Sequence, residues 1–368
     1  MQRKIMLLVR TIFAALLGCL VTLVSAQAQQ QTTNAPAGVL PGERVVPWGL
    51  PPLPPGVGPV ELFADIHNTP QGKFLEGGSF DTQGNFWFVA IDSGWISYLT
   101  PQGKLVPVVN CNAPPEMKIS CDPQGTRWHD GKLYITTRHL GILVYDPQSK
   151  KLNVLVNQYA NQLFKGPNDL DFDAEGNLYF TDPWLTGPGP DAADEDGAVY
   201  QYSTQGVLRR VISHGYFPNG IAVSPDDKIL AVADYSGARI IYYYFLSGPG
   251  PGCVACATDP QHLTFGFAKA GSYVPGNGGP DGIHYDVHGD LWVQIHRMGG
   301  ILEIDPKGLI LGFVPIPNGD VNTTNFAFGG PDNRYIYFEG AATGRIYRFQ
   351  APYPGLIGPG GNRLPAQP

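Results

Sequence analysis

Five side chains with hard oxygen donors stand at one offset from a repeated turn. Glu76, Asn168, Asn219, Asp281 and Asn325 each lie eight residues before an aligned turn residue: Gly84, Gly176, Asp227, Gly289 and Asn333. The sixth turn residue, Gly131, looks back on Pro123, which offers no oxygen ligand. The local runs agree: Glu76-Gly-Gly, Pro167-Asn-Asp, Pro218-Asn-Gly and Pro280-Asp-Gly. Glu76, Asn168, Asn219 and Asp281 bring four oxygens and two formal negative charges. Oxygen-only ligation points to Ca2+, with Mg2+, Mn2+ or Zn2+ as substitutes. No Cys or His occupies the register, which disfavours a dedicated zinc site. Four protein ligands leave positions open for water and substrate, as Lewis-acid chemistry needs. Asn and Asp also start turns for local reasons. That reading suits one such position better than four in one register.

Residues this far apart meet only if the chain repeats. Six hairpins share a pattern of polar turn, aromatic or β-branched run and second strand. Asp81-Thr-Gln-Gly-Asn-Phe-Trp-Phe88, Asp173-Ala-Glu-Gly-Asn-Leu-Tyr-Phe180 and Asp286-Val-His-Gly-Asp-Leu-Trp-Val293 are three of them. The aligned turn residues are spaced by 47, 45, 51, 62 and 44 positions. Each hairpin is followed by a further strand, such as Ile142-Leu-Val-Tyr145 or Ile346-Tyr-Arg-Phe349. Four strands in a unit of this length indicate an all-β fold: a six-bladed β-propeller with four-stranded blades around a central channel. A β-sandwich with coincidental turns is the alternative. In a propeller the innermost strands line the channel, so equivalent positions form a ring. A buried ring of amides and carboxylates is costly unless something satisfies it. Asp92, Asp182, Asp234 and His296 end the returning strands and come back to the same channel mouth. Asp182 and His296, with Asn168 and Asn325, are expected to touch substrate or support the ligands.

Composition limits the rest. The 368 residues include 47 Gly and 35 Pro, which favours short strands and tight turns over helices. Net charge is -7, so no basic surface suited to nucleic acid is implied. Arg3, Lys4 and Arg10, the apolar run from Thr11 to Val24 and Ala26-Gln27-Ala28 read as a signal peptide over 1–28. This predicts a periplasmic or secreted protein without a membrane span. A Pro-rich lead-in follows over 29–59, then the propeller over 60–350 and a Pro/Gly-rich tail over 351–368; both flanking segments are expected to lie on the surface or wrap it, in extended conformation. Of the four cysteines past the signal, Cys111 and Cys121 would close a loop, and Cys253-Val-Ala-Cys256 reads as structural. The acidic stretch 191–197 lacks the ligand pattern of an EF-hand. The insertion Gly248 to Gly279 is a candidate lid, and Trp128, Trp184 and Tyr216 are candidates to shape the mouth.

The ring and the run Thr324-Asn-Phe-Ala-Phe-Gly-Gly-Pro-Asp332 resemble the SMP-30/gluconolactonase/LRE-like family, from roughly Val60 to Gln350. The resemblance implies a six-bladed propeller holding one divalent cation, with activity on lactones or, in relatives, organophosphates. It implies that Glu76, Asn219 and Asp281 bind the metal, that Asn168 is a ligand or substrate contact, and that Asp281 is the general base. Some sugar-lactonase members carry an Arg two residues before the equivalent of Asn168. Gly166 stands there in this chain, beside Lys165, which does not support sugar-acid recognition of that kind. The expected function is an exported Ca2+-dependent hydrolase that opens a lactone ring by activated water. The alternatives are a phosphotriesterase or aryl esterase on the same site, or a metal-stabilised binding propeller without activity. The expected partner is a small-molecule lactone or ester; no protein partner is inferred.

Overall fold

Strands in this chain are short runs of Ile, Val, Phe, Tyr and Trp, cut by residues that suit tight turns. The structure, a computed structural model, describes residues 51–112, 120–183, 197–215, 217–235, 239–246, 267–274 and 278–367. Outside these lie the proposed signal peptide, most of the lead-in, the acidic stretch over 191–196, Cys253, Cys256, Trp184, Tyr216 and most of the candidate lid.

Six antiparallel sheets of four strands make the six blades. Blade 1 holds Leu75–Phe80, Phe86–Ala90, Trp95–Leu99 and Leu105–Asn110. Blade 2 holds Pro123–His129, Lys132–Thr137, Gly141–Asp146 and Lys151–Val156. Blade 3 holds Leu170–Phe172, Leu178–Asp182, Gly197–Tyr202 and Leu208–Gly215. Blade 4 holds Pro218–Val223, Ile229–Asp234, Ile240–Phe245 and Phe267–Tyr273. Blade 5 holds Gly279–Tyr285, Leu291–His296, Gly300–Ile304 and Ile310–Pro315. Blade 6 holds Thr323–Gly329, Tyr335–Gly340 and Arg345–Gln350, and takes its outer strand, Glu61–Asp65, from the start of the propeller. This strand closes the circle by pairing antiparallel with Arg345–Gln350.

The aligned turn residues occupy one backbone state. Gly84, Gly131, Gly176, Asp227, Gly289 and Asn333 all have φ between 53° and 92°. The repeat is therefore a repeat of conformation as well as of residue type.

The core lies between blades. Ala231, Ile241 and Tyr243 of blade 4 pack with Ile283, Val293 and Leu302 of blade 5. Trp292 and Ile301 of blade 5 pack with Phe326, Phe338 and Phe349 of blade 6. No single sheet buries both its faces, so stability depends on closure. One disulfide joins Cys111 to Cys121. No helix among the described residues is long and apolar enough to cross a membrane.

The tail wraps the blades and joins the packing. Leu356 is buried, and its N–H donates to the Tyr285 carbonyl at 2.9 Å. Asn333 Nδ2 donates to the Gly355 carbonyl at 2.8 Å. Arg363 donates to the carbonyls of Phe172 at 3.1 Å and Ser224 at 2.7 Å. Gly361 has φ +82° and lies so near the Trp128 carbonyl that a Cβ would collide with it. The tail thus runs from blade 6 across blades 5, 2, 3 and 4. Ile357 and Gly358 line a small cavity together with Arg127 and His284 at the turn end of the blades. A proline-rich chain makes few backbone bonds of its own, and here the blades supply the partners.

Leu356→Ala should therefore destabilise the fold by about 2–5 kcal/mol, as other buried Leu truncations do. Urea unfolding with the slope held fixed checks this; a change near zero would make the tail a surface ornament.

Candidate active site

The innermost strands of five blades carry a local irregularity at or just after the register residue. The ladder shifts between Glu76 and Ser79, Pro123 and Thr126, Pro218 and Ile221, Pro280 and Ile283, and Thr323 and Phe326. A bulge leaves a residue unpaired and re-aims its side chain. In blade 3 the strand starts after the register residue, and Asn168 N–H donates to the Thr181 carbonyl at 3.0 Å instead.

Glycines then let the innermost strands close on one another. A Cβ on Gly220 would collide with the Asp281 backbone, and one on Gly282 with Asn325. A Cβ on Gly125 would press on Asp169 and on the Asn168 carbonyl. Each glycine lies against the register residue of the next blade, which only a residue without Cβ permits.

The ring is brought together. Glu76, Asn168, Asn219, Asp281 and Asn325 are all buried, at 5% exposure or less. The Asn219 amide lies close enough to Asp281, and the Asn325 amide close enough to Glu76, to favour the ionised carboxylates. Glu76 Oε2 also accepts the Gly77 N–H at 2.6 Å. Burial, with the charge of Asp169 adding, pushes Glu76 up to about 8. Burial and then the charges of Glu76 and Asp169 hold Asp281 well above the usual carboxylate range.

These residues fit a divalent cation. Asn219 Oδ1 and Asp281 Oδ1 are buried without a hydrogen-bond partner, as is Asp169 Oδ2. Unpartnered buried oxygens and mutually repelling carboxylates are what a hard cation relieves.

Two carboxylates of this group were not anticipated. Asp169 follows Asn168 where blades 1, 4 and 5 have glycine; burial pushes it up to about 6. Its place in the Pro-Asn-Asp run was a readable signal. Glu339 lies on the second strand of blade 6, fully buried, with both oxygens unpartnered. Burial and the charge of Glu76 hold it well above its ordinary range. Thr136 and Thr181 hold comparable places in blades 2 and 3. Their hydroxyls donate to the carbonyls of Asn168 and, at 2.7 Å, Asn219. These threonines fix the backbone of the next blade's register residue.

Further along the channel Arg127 supplies positive charge. It is 4% exposed, lies 3.4 Å from Asp171, and donates to the Leu170 carbonyl at 3.1 Å. His284 Nδ1 is 3.2 Å from its Nη1, and burial pushes that imidazole well down, so it is neutral.

Asp182 and His296 occupy the loop end of the blades. Asp182 accepts the N–H groups of Gly166 at 2.7 Å and Lys165 at 3.2 Å, fixing the segment that leads to Asn168. Asp234 does the same for Phe217 at 3.2 Å. His296 Nδ1 lies 3.3 Å from the Thr323 carbonyl, two residues before Asn325. Burial and Arg297 push it down to about 4.

Comparison with known proteins adds to the geometry. A model of the SMP-30/gluconolactonase/LRE-like region matches residues 116–342. A gluconolactonase of Zymomonas mobilis is 29% identical over 233 residues, which cover 61% of this chain and 61% of that protein. The chain thus spans under two thirds of that relative's length. Among solved structures, a gluconolactonase from Xanthomonas campestris superposes with a TM-score of 0.64 at 21% identity, covering 85% of this chain and 99% of that one. A calcium-binding regucalcin from Agrobacterium tumefaciens superposes with a TM-score of 0.59 at 17% identity, covering 83% and 99%. Likenesses at this identity speak for the fold alone.

The buried carboxylates set a pH dependence for protein stripped of metal. Glu76 binds its proton more tightly folded than unfolded, with its folded value about 8 against an ordinary 4.5. The folded state therefore holds more protons between those values, and stability falls as pH rises through that window. One such group costs up to about 1.4 kcal/mol per pH unit. EDTA-treated protein should melt progressively lower from pH 5 to pH 8, by calorimetry, and Glu76→Gln should flatten the slope. A flat profile in the stripped wild type would show that the ring is not held together without its counter-charge.

Proposed function

Because the chain belongs to the SMP-30/gluconolactonase/LRE-like family, we propose that it is an exported Ca2+-dependent hydrolase that opens lactone rings. The observation that carries this is the pair of unpartnered oxygens, Asn219 Oδ1 and Asp281 Oδ1, buried beside further carboxylates at the channel axis. Glu76, Asn219 and Asp281, with Asn168, would hold the cation; oxygen donors without sulfur or imidazole favour Ca2+. The gluconolactonase and calcium-binding names of similar proteins support both parts. A cation bound there supplies Lewis-acid polarisation of an ester carbonyl.

The chain's own residues do the rest. Asp281 accepts the proton of the attacking water and returns it to the departing alkoxide oxygen of the opened ring. Asn325 lies beside Glu76 and favours its ionised form. Asp182, holding Gly166 and Lys165, positions Asn168 toward the substrate. Arg127 and the tail residues Ile357 and Gly358 meet at the turn end, which favours entry of substrate from the loop end, where Asp182 and His296 end their strands. Gly166 lacks the side chain that sugar lactonases use, which favours lactones without a sugar-acid arm. The basic start, apolar run and Ala26-Gln27-Ala28 support export.

Asp281→Asn should lower kcat by about 10²–10⁴-fold on the preferred lactone, with the melting temperature held or raised. EDTA should abolish turnover of the wild type and Ca2+ restore it. A panel of γ- and δ-lactones is run beside aryl esters and phosphotriesters. Turnover of the second set alone would move the reaction to another bond at the same site. No calcium-dependent turnover of any substrate would leave a binding propeller.

A further inference from the structure

Three more carboxylates gather at the opposite end of blade 5. Asp286, Asp290 and Glu303 each place an oxygen within 4.8 Å of the other two. All are buried, at 0%, 3% and 2% exposure. Asp286 follows the innermost strand, Asp290 precedes the second, and Glu303 lies on the third. They sit at the turn end of the blade, away from the ring of Glu76 and Asp281.

The same turn occurs in blades 1 and 3 and serves as an internal control. Asp81 Oδ1 accepts the N–H groups of Gln83 and Asn85, both at 2.9 Å. Asp173 Oδ1 accepts those of Glu175 and Asn177, at 3.0 and 2.8 Å. Asp286 Oδ1 accepts those of His288 and Asp290, both at 3.0 Å. In blades 1 and 3 the second oxygen also takes the side-chain amide of Asn85 or Asn177, both at 2.8 Å. Blade 5 has Asp290 in that place, which as a carboxylate has no proton to give. Strand pairing sets Tyr98 opposite Trp87, Gln201 opposite Tyr179 and Glu303 opposite Trp292. Blade 5 therefore carries carboxylates at two places where its sister blades carry neutral groups. Holding the turn needs only the neutral set.

A second observation comes from the third strand. Glu303 Oε2 is buried and has no hydrogen-bond partner. It is aimed at the two turn carboxylates, a placement that costs free energy unless a positive charge lies between them. Burial, with Asp290 and Asp286 adding, pushes Glu303 up to about 8. His288 Nδ1 lies 3.1 Å from Asp290 Oδ2, on the outer side; its ring stacks on Tyr353 at 4.5 Å. Asp305 adds further negative charge near Asp290.

We propose that Asp286, Asp290 and Glu303 form a second cation site, separate from the channel, that takes one hard divalent cation of the Ca2+ class. Three carboxylates without sulfur suit such an ion, and water completes its shell past the partly exposed His288. The ion ties the hairpin turn of blade 5 to its third strand.

Terbium(III) is the probe, because Trp292 Nε1 donates to Asp286 Oδ2 at 3.1 Å and its indole lies beside the site as an antenna. EDTA-stripped full-length protein, titrated with Tb3+ under tryptophan excitation, should show sensitised emission that Ca2+ competes away. Trp292→Phe should lose most of the emission while Ca2+ uptake stays. Asp290→Asn with Glu303→Gln should lose that emission and one equivalent of Ca2+; this pair copies the neutral donors of the sister blades and is expected to fold. After reloading with Ca2+, elemental analysis should find one equivalent fewer in the double variant than in the wild type. Asp281→Asn paired with the double variant should preserve that difference, which separates this site from the channel. The single variant Asp290→Asn carries the same test should the double variant not fold. Equal metal content and unchanged emission would overturn the proposal. So would a double variant that is more stable than the stripped wild type with no change in its response to Ca2+, since shared protons would then hold the carboxylates.

Discussion

Negative charge buried at the propeller axis is the constraint that orders the rest. Glu76, Asp169, Asp281 and Glu339 are each 5% exposed or less, and their charges act on one another. Such a group opposes its own burial, because each carboxylate loses water and faces others of the same sign. A fold chosen for stability alone would place apolar side chains there. The ring is kept together by what surrounds it. Bulges aim the side chains inward, glycines let neighbouring strands close, and Thr136 and Thr181 pin the backbone behind Asn168 and Asn219. These devices recur from blade to blade, so one local solution is applied around the axis.

Closure turns local solutions into a site. Glu76 and Asn325 are 249 residues apart in the same sense as Thr324 and Leu75, whose side chain and carbonyl meet at 2.8 Å. That contact exists because Glu61–Asp65 completes blade 6 and draws the first and last blades together. The tail secures the turn end, where Arg363 reaches carbonyls of blades 3 and 4 from a segment rooted in blade 6. The exposed pairs Arg345–Asp65 and Arg348–Glu61 contribute little beside the buried apolar contacts of Ile346 and Tyr337.

What could be read in the sequence followed from repetition. The aligned turn residues share one backbone state, so counting eight positions back reached the same physical place in each blade. Features that occur once had no such support. Glu339 interrupts an apolar strand that otherwise reads like its sisters, and its placement follows from the bulge opposite it in blade 6. Glu61–Asp65 is short and half exposed, so its pattern hardly differs from a loop. The tail was read as extended, but prolines say nothing about which carbonyls will receive it. Asp182 illustrates the difference: its place at the end of a returning strand was legible, while its bonds to Gly166 and Lys165 depend on loop geometry.

Blade 2 shows how the charge is divided. It lacks an oxygen ligand in the register, and Pro123 stands there instead. Its innermost strand delivers Arg127, whose charge lowers Asp169 while its Nε faces Asp171. The guanidinium is thus shared between two carboxylates and bound to the Leu170 carbonyl, which leaves Glu76, Asp281 and Glu339 largely uncompensated. Arg138 acts on Glu76 only from the loop end, where Asp122 lies 3.8 Å from it. The cations among the described residues therefore do not neutralise the ring. Either protons fill the deficit, which silences Asp281 as a base, or a divalent ion does, which leaves Asp281 ionised and able to take a proton from water.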